Sequence, residues 1–118
     1  PFLYTLHIHE NGQTREKVVD VPETFNYLLG LHVRTRHTYQ DGDRRYVVYR
    51  GDIDHSRVVI IWRETKDWKK KDFEQDKKFV AAQKLTEGAD EVFVNSDSLI
   101  PGAKSLDSIF KARMFAEV

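Results

Sequence analysis

Five consecutive apolar residues, Val58-Val59-Ile60-Ile61-Trp62, stand between the charged residues Arg57 and Arg63. A strand with one wet face alternates apolar and polar side chains, whereas an unbroken run of this kind belongs to a strand covered on both faces. The stretch therefore predicts a buried central strand, and the rest of the chain has to supply the layers that cover it. It is also the longest apolar run in the sequence, far short of the roughly 20 residues that a membrane-spanning helix needs.

The flanking patterns indicate those layers. Phe2 to Ile8 alternates as a strand, Glu10-Asn11-Gly12-Gln13 is a turn signal, and Thr14 to Val19 returns, so residues 1–20 are expected to form an N-terminal hairpin. Asp20-Val21-Pro22-Glu23 announces a helix, with Asp20 as cap, Pro22 in the first turn and Glu23 at capping-box spacing. Phe25, Leu28 and Leu29 form its apolar face, and Gly30 ends it in the left-handed conformation. Three strands are expected next: His32 to Tyr39, with Val33 alternating against Arg34 and Arg36, then Arg44 to Ile53, then Arg57 to Arg63. Gln40-Asp41-Gly42-Asp43 and Asp54-His55-Ser56 supply the turns. After a lysine-rich connection, Asp72 is expected to open a helix to about Leu85, with Phe73, Phe79, Val80 and Leu85 toward the core and Asp76 and Lys77 on a mixed surface. Gly88 punctuates, and Glu91 to Asn95 is a further strand. Strand, helix, strand makes a βαβ unit, with Val58–Trp62 and Val92–Val94 as parallel neighbours. Pro101-Gly102 reads as a loop, Ser105 as a cap, and Leu106 to Ala116 as a closing helix with Ile109, Phe110 and Met114 inward. The expected fold class is α/β (α+β): a single domain over residues 1–118, whose mixed sheet joins an antiparallel meander to a βαβ unit, with helices packed on it.

Composition limits the function classes. The 118 residues carry 19 basic and 19 acidic side chains, so nucleic-acid contact has to come from a local patch rather than from overall charge. No cysteine is present, which removes disulfides and thiolate metal sites and agrees with a cytoplasmic setting. The chain opens on Pro1-Phe2-Leu3-Tyr4, without a start methionine or the charged and apolar regions of a signal peptide, and is expected to be a piece of a longer protein.

Four sets of residues can carry chemistry. Asp52 and Asp54, with Glu64-Thr65-Lys66, have the order of the metal-binding acids and lysine of PD-(D/E)xK nucleases, in which helix, three strands, helix and strand frame the site. The blander reading is that Asp52 and Asp54 flank a turn and that Glu-x-Lys arises by composition. His7 and His9 share one side of a strand, but two histidines without a third ligand make no metal site, and none is assigned. Arg34, Arg36, Arg44, Arg45, Arg50 and Arg57 are interleaved with Tyr39, Tyr46 and Tyr49. Arg34, Arg36, Arg44, Arg45 and Tyr46 are the nucleic-acid candidates, set against a solvated sheet face with cross-strand ion pairs. Trp68 in its charged loop, together with Asn95, Ser96 and Asp97 after a parallel strand, are candidate partner contacts. No Gly-rich phosphate loop and no nucleophile elbow is present, and the three prolines are isolated, which excludes the acidic/Asn-Pro-Pro-aromatic motif of amino-methyltransferases.

Glu23-Thr24-Phe25-Asn26-Tyr27-Leu28-Leu29-Gly30-Leu31 resembles a string in the C-terminal part of the Mod subunits of type III restriction–modification systems and of related adenine-specific DNA methyltransferases. The similarity continues in order through Tyr46-Val47-Val48, Ile61-Trp62-Arg63, Asp76 to Phe79, Asn95-Ser96-Asp97-Ser98, Ile100-Pro101-Gly102-Ala103 and Phe110-Lys111-Ala112-Arg113-Met114-Phe115. It covers about Val21 to the end. The resemblance implies a C-terminal accessory domain of an enzyme that transfers a methyl group from S-adenosylmethionine to adenine N6. It also implies DNA, a Res helicase–nuclease subunit and a second Mod subunit as partners. The family's catalytic and cofactor motifs match no residues here, so the resemblance implies no catalytic residue and no cofactor for this stretch.

Overall fold

The computed structural model describes the backbone of residues 3–10 and 13–106 and the side chains of residues 22–106. Its first two strands, β1 (Leu3–Glu10) and β2 (Gln13–Asp20), pair antiparallel from Leu3 with Asp20 to Glu10 with Gln13, forming a two-stranded sheet of their own. The expected turn at Asn11-Gly12, the side chains of His7 and His9, and the closing helix beyond Leu106 lie outside the described residues.

Helix α1 (Val21–Leu29) follows directly, and Gly30 closes it at φ 71°. The Gly30 amide donates to the Tyr27 carbonyl at 3.1 Å and the Leu31 amide to the Asn26 carbonyl at 2.9 Å, so two terminal carbonyls are satisfied in a Schellman arrangement. Then come β3 (His32–Asp41), β4 (Arg44–Ile53) and β5 (Ser56–Arg63), joined by two-residue turns in which Gly42 and Asp54 take positive φ. Helix α2 (Lys70–Ala82) crosses over to β6 (Glu91–Val94), and β7 (Ala103–Ser105) ends the sheet. Sheet order is β3-β4-β5-β6-β7, with the first two pairings antiparallel and the last two parallel. The predicted βαβ unit is present, with Val58 opposite Glu91 and Ile61 opposite Val94.

The five-residue apolar run does lie at the centre. Val58, Ile60 and Trp62 point to one face, where Phe25 and Leu29 of α1, Val47, Tyr49, Phe93 and Leu106 pack on them. Val59 and Ile61 point to the other, against Tyr46, Val48, Val94, Ile100, Val80 of α2 and Leu85 just beyond it. Both faces are dry because a helix covers each, which is why no polar side chain interrupts the run. The fold is α+β: a single domain in which the described residues form a mixed five-stranded sheet, the β1-β2 pair and two helices.

Three expectations need correction. The α2 helix starts at Lys70 rather than Asp72: the Asp72 carboxylate sits two residues inside and accepts the Lys69 amide at 2.8 Å, the reach-back half of a capping box. Asp76, read as part of a mixed surface, is fully buried. Ala103–Ser105, read as loop and cap, forms β7 parallel to β6, a strand too short to show a period. Beyond the end of α2 at Ala82, Lys84 takes φ 55°, and the Leu85 amide donates to the Val80 carbonyl at 3.1 Å, placing Leu85 in the core.

Candidate functional site

In α/β sheets the crevice lies beyond the carboxyl ends of parallel strands. Here that place, where β5 and β6 end, is filled by Arg63 and Asp76, both 0% exposed. Arg63 is the last residue of β5 and points to the α2 face; Asp76 meets it from the middle of α2. Arg63 Nη1 donates to Asp76 Oδ2 at 2.5 Å, while Nη2 donates to the Asn95 carbonyl and, at 2.8 Å, to the Asp97 carbonyl. The other Asp76 oxygen accepts the Tyr46 hydroxyl at 2.9 Å. Two charges buried together cost desolvation energy, which these hydrogen bonds offset, although Arg63 Nε is buried with no hydrogen-bond partner among the described residues. Burial raises the Tyr46 hydroxyl pKa well above its ordinary value of 10.0, and the neighbouring Asp76 charge and hydrogen bond raise it further.

Asn95 acts as a short extension of the sheet. Its side-chain oxygen accepts the Arg63 amide at 2.8 Å and its amide nitrogen donates to the Arg63 carbonyl at 2.6 Å, copying the peptide of a neighbouring strand where β6 has ended. Ser96 follows at φ 60°, and its hydroxyl receives that of Thr65 at 3.1 Å. Trp68 lays its ring 5.5 Å from the Arg63 guanidinium carbon and meets Phe73 edge-on. The four candidate partner contacts, Trp68, Asn95, Ser96 and Asp97, are therefore one cluster, organised by an arginine and an aspartate that were not singled out in the sequence. The available signal was Asp76 itself, an acid in register with Val80 on the inner face of a helix.

The nucleic-acid candidates do not form one patch. Arg34 is a β-bulge residue: Val33 pairs with Gly51 and Thr35 with Arg50, leaving Arg34 without a strand partner. The bulge reverses the alternation, so Arg34 turns to the α2 face and pairs with Asp52, while Arg36 turns to the α1 face. There Arg36 Nε donates to the Tyr49 hydroxyl at 3.1 Å, and that hydroxyl donates to Glu23 at 3.2 Å. Arg44 reaches the start of α2 and donates to Asp72 at 2.6 Å. Together with the Lys69 amide, which has the larger influence, Arg44 holds the Asp72 carboxyl below its ordinary 3.8. Arg45 is exposed, and Tyr46 is in the core. What does gather is a cleft of about 210 Å³ on the α2 face at the amino end of β5, lined by Arg34, Arg50, Asp52, Arg57 and the Glu87-Gly88-Ala89 turn. Arg50 is tied in by donating to the Leu85 carbonyl at 2.9 Å.

The element order associated with PD-(D/E)xK nucleases is present, but its acids are apart. Asp52 is opposite Arg57 at one end of β5, Asp54 is in the following turn, and Glu64 and Lys66 come after Arg63 at the other end. Seven residue steps of extended chain lead from Arg57 to Glu64, on the order of 23 Å, whereas ligands of one cation all lie about 2–2.6 Å from it. No group of three or more His, Asp or Glu side chains among the described residues could hold a metal ion. Nor is any helix among the described residues long and apolar enough to cross a membrane.

No family model, no curated protein and no solved structure matches this chain.

Proposed function

We propose that this chain is the non-catalytic C-terminal docking and DNA-contact domain of a Mod subunit, the adenine-N6 DNA methyltransferase of a type III restriction–modification system, acting in the cytoplasm of a prokaryote. One observation carries the reading. The short strings behind the resemblance are scattered along the chain, yet four of them meet at one buried joint. Tyr46 comes from Tyr46-Val47-Val48, Arg63 from Ile61-Trp62-Arg63, Asp76 from the Asp76 to Phe79 string, and Asn95 and Asp97 from Asn95-Ser96-Asp97-Ser98. Residues of these strings therefore depend on one another in space, as the parts of one fold signature do.

The same joint supports a non-catalytic role. At the carboxyl ends of β5 and β6, the place where an α/β sheet would cradle a cofactor, the space is occupied by the Arg63 guanidinium and its partners. S-adenosylmethionine therefore finds no fit there, and its site belongs to the rest of the enzyme. DNA, the Res helicase–nuclease subunit and a second Mod subunit are the partners this domain would serve.

The test is the reading frame that encodes these residues. The expected result is the Phe-x-Gly-x-Gly loop with which amino-methyltransferases hold S-adenosylmethionine, and their acidic/Asn-Pro-Pro-aromatic tetrapeptide, in the same frame. A complete frame without either one overturns the assignment.

A further inference from the structure

The segment from Glu64 to Lys84 contains seven lysines and five acids, an unremarkable mixture in one dimension. Folding separates them. Asp76 is turned fully inward to Arg63, and Asp72 is occupied by Arg44 and the Lys69 amide. All seven lysines stay exposed, and none stands within ion-pair distance of a carboxylate among the described residues. Only Glu64, Asp67 and Glu74 remain as exposed acids of this segment. On α2 the lysines form two adjacent rows, Lys70 with Lys77 and Lys71 with Lys78, with Glu74 between them. Each row spans seven residues, about 10.5 Å along the axis. A chain with no net charge thus carries a concentrated positive face on the outside of one helix.

From this we infer that the outer face of α2 is a contact surface for the phosphate backbone of duplex DNA, made by Lys70, Lys71, Lys77 and Lys78. The choice of DNA as the polyanion rests on the methyltransferase reading above; the location rests on charge alone. A duplex suits this face better than a single strand. Binding of single strands relies on exposed aromatic rings as stacking platforms, and the exposed α2 positions are Lys, Glu, Gln and Ala. The 10.5 Å lysine spacing is also comparable with the roughly 12 Å opening of the major groove, which is bounded by phosphates on both sides. Contacts of this type position a protein on DNA and read no sequence.

The experiment is fluorescence anisotropy of a labelled 30-base-pair duplex titrated with the full chain between about 50 and 200 mM salt. It compares the wild type, a variant with Lys70→Gln, Lys71→Gln, Lys77→Gln and Lys78→Gln, and a second variant with Arg34→Gln and Arg57→Gln. Thermal melts establish that both variants are folded. The inference expects the four-lysine variant to bind at least tenfold more weakly at 50 mM salt. Its log–log salt slope should be shallower by about 3 to 4, because each lost phosphate contact removes about 0.9. The two-arginine variant should keep the wild-type slope. An unchanged slope in the four-lysine variant, no duplex binding by the wild type at 50 mM salt, or a preference for a single strand, duplex RNA or polyglutamate over the DNA duplex overturns the inference. Since the reading frame is decided by sequencing, either conclusion can fail while the other stands.

Discussion

The two ends of β5 carry the same residue type under opposite conditions. At the amino end, Arg57 is exposed beside a cleft where Arg34 pairs with Asp52 near solvent, the Arg34 side chain being 73% exposed. At the carboxyl end, six residues on, Arg63 pairs with Asp76 and neither side chain is exposed at all. Both arginines point to the α2 face. What differs is the cover. The carboxyl end lies beneath the body of α2, Trp68 and the Asn95–Ser98 loop, which must pass there because parallel strands leave by the same end. At the amino end, among the described residues, there is only the turn that follows α2. The same charge pair is thus a weak surface contact in one place and a structural joint in the other, since the energy of an ion pair is set by the solvent around it.

Substitutions at either end of β5 test this difference. The largest effect is expected from Asp76→Ala, which strands a buried guanidinium: about 3–5 kcal/mol should be lost in urea unfolding. The double variant Arg63→Met with Asp76→Leu should recover most of that loss. A single-variant loss under about 1 kcal/mol would mean that the joint is wetter than its burial indicates.

Next is Gly51→Ala, at the open end. A Cβ there would stand 2.1 Å from the His32 carbonyl oxygen, against backbone and not a movable side chain. The strands have to shift, and a cost of about 1–3 kcal/mol is expected, with faster amide exchange along β3. Unchanged exchange would show that the bulge at Arg34 does not depend on this close approach.

A smaller effect, about 1.5 kcal/mol at neutral pH, is expected from Tyr46→Phe, which removes a hydrogen bond to a charged group. The same residue gives the sealed end a pH limit. Its folded pKa lies above the unfolded value of 10.0, so its contribution is complete below about pH 10. It is lost as pH rises beyond that, because the unfolded chain can release the proton and the folded chain holds it. Wild-type stability should therefore fall more steeply than that of Tyr46→Phe above pH 10; parallel curves would remove Tyr46 as the cause.

The smallest effect belongs to Arg34→Ala. Its ion pair is mostly in solvent, and the change should stay within about 0.5 kcal/mol and shrink further in salt. A loss comparable with that of Asp76→Ala would erase the distinction between the two ends.

Much of the fold was legible because the signals were local and periodic. The Val58–Trp62 run identified the central strand, Gly30 marked the end of α1, and the spacing of β5, α2 and β6 required a parallel crossover. The candidate sites were less legible. In the sequence Trp68 and Asn95-Ser96-Asp97 stand as separate polar or aromatic loop residues, and nothing local shows the Arg63–Asp76 pair that joins them. The arginine set does not share one face for a specific reason: strict alternation puts Arg34 and Arg36 on one face, and one unpaired residue in β3 puts them on opposite faces.

The order and type of the elements from β1 to β6, the two-sided burial of β5 and the lack of overall basic charge were determined by the sequence alone, since each depends on neighbouring residues or on a sum over all of them. Which charges are consumed and which remain was decided only by the tertiary structure. Asp72 and Asp76 look like the lysines beside them until α2 is laid on the sheet. Its inward side then meets Arg44 and Arg63, and its outward side keeps the lysines. A side chain's electrostatic role depends on its partner and on the water left around it, and both come from residues distant in the chain.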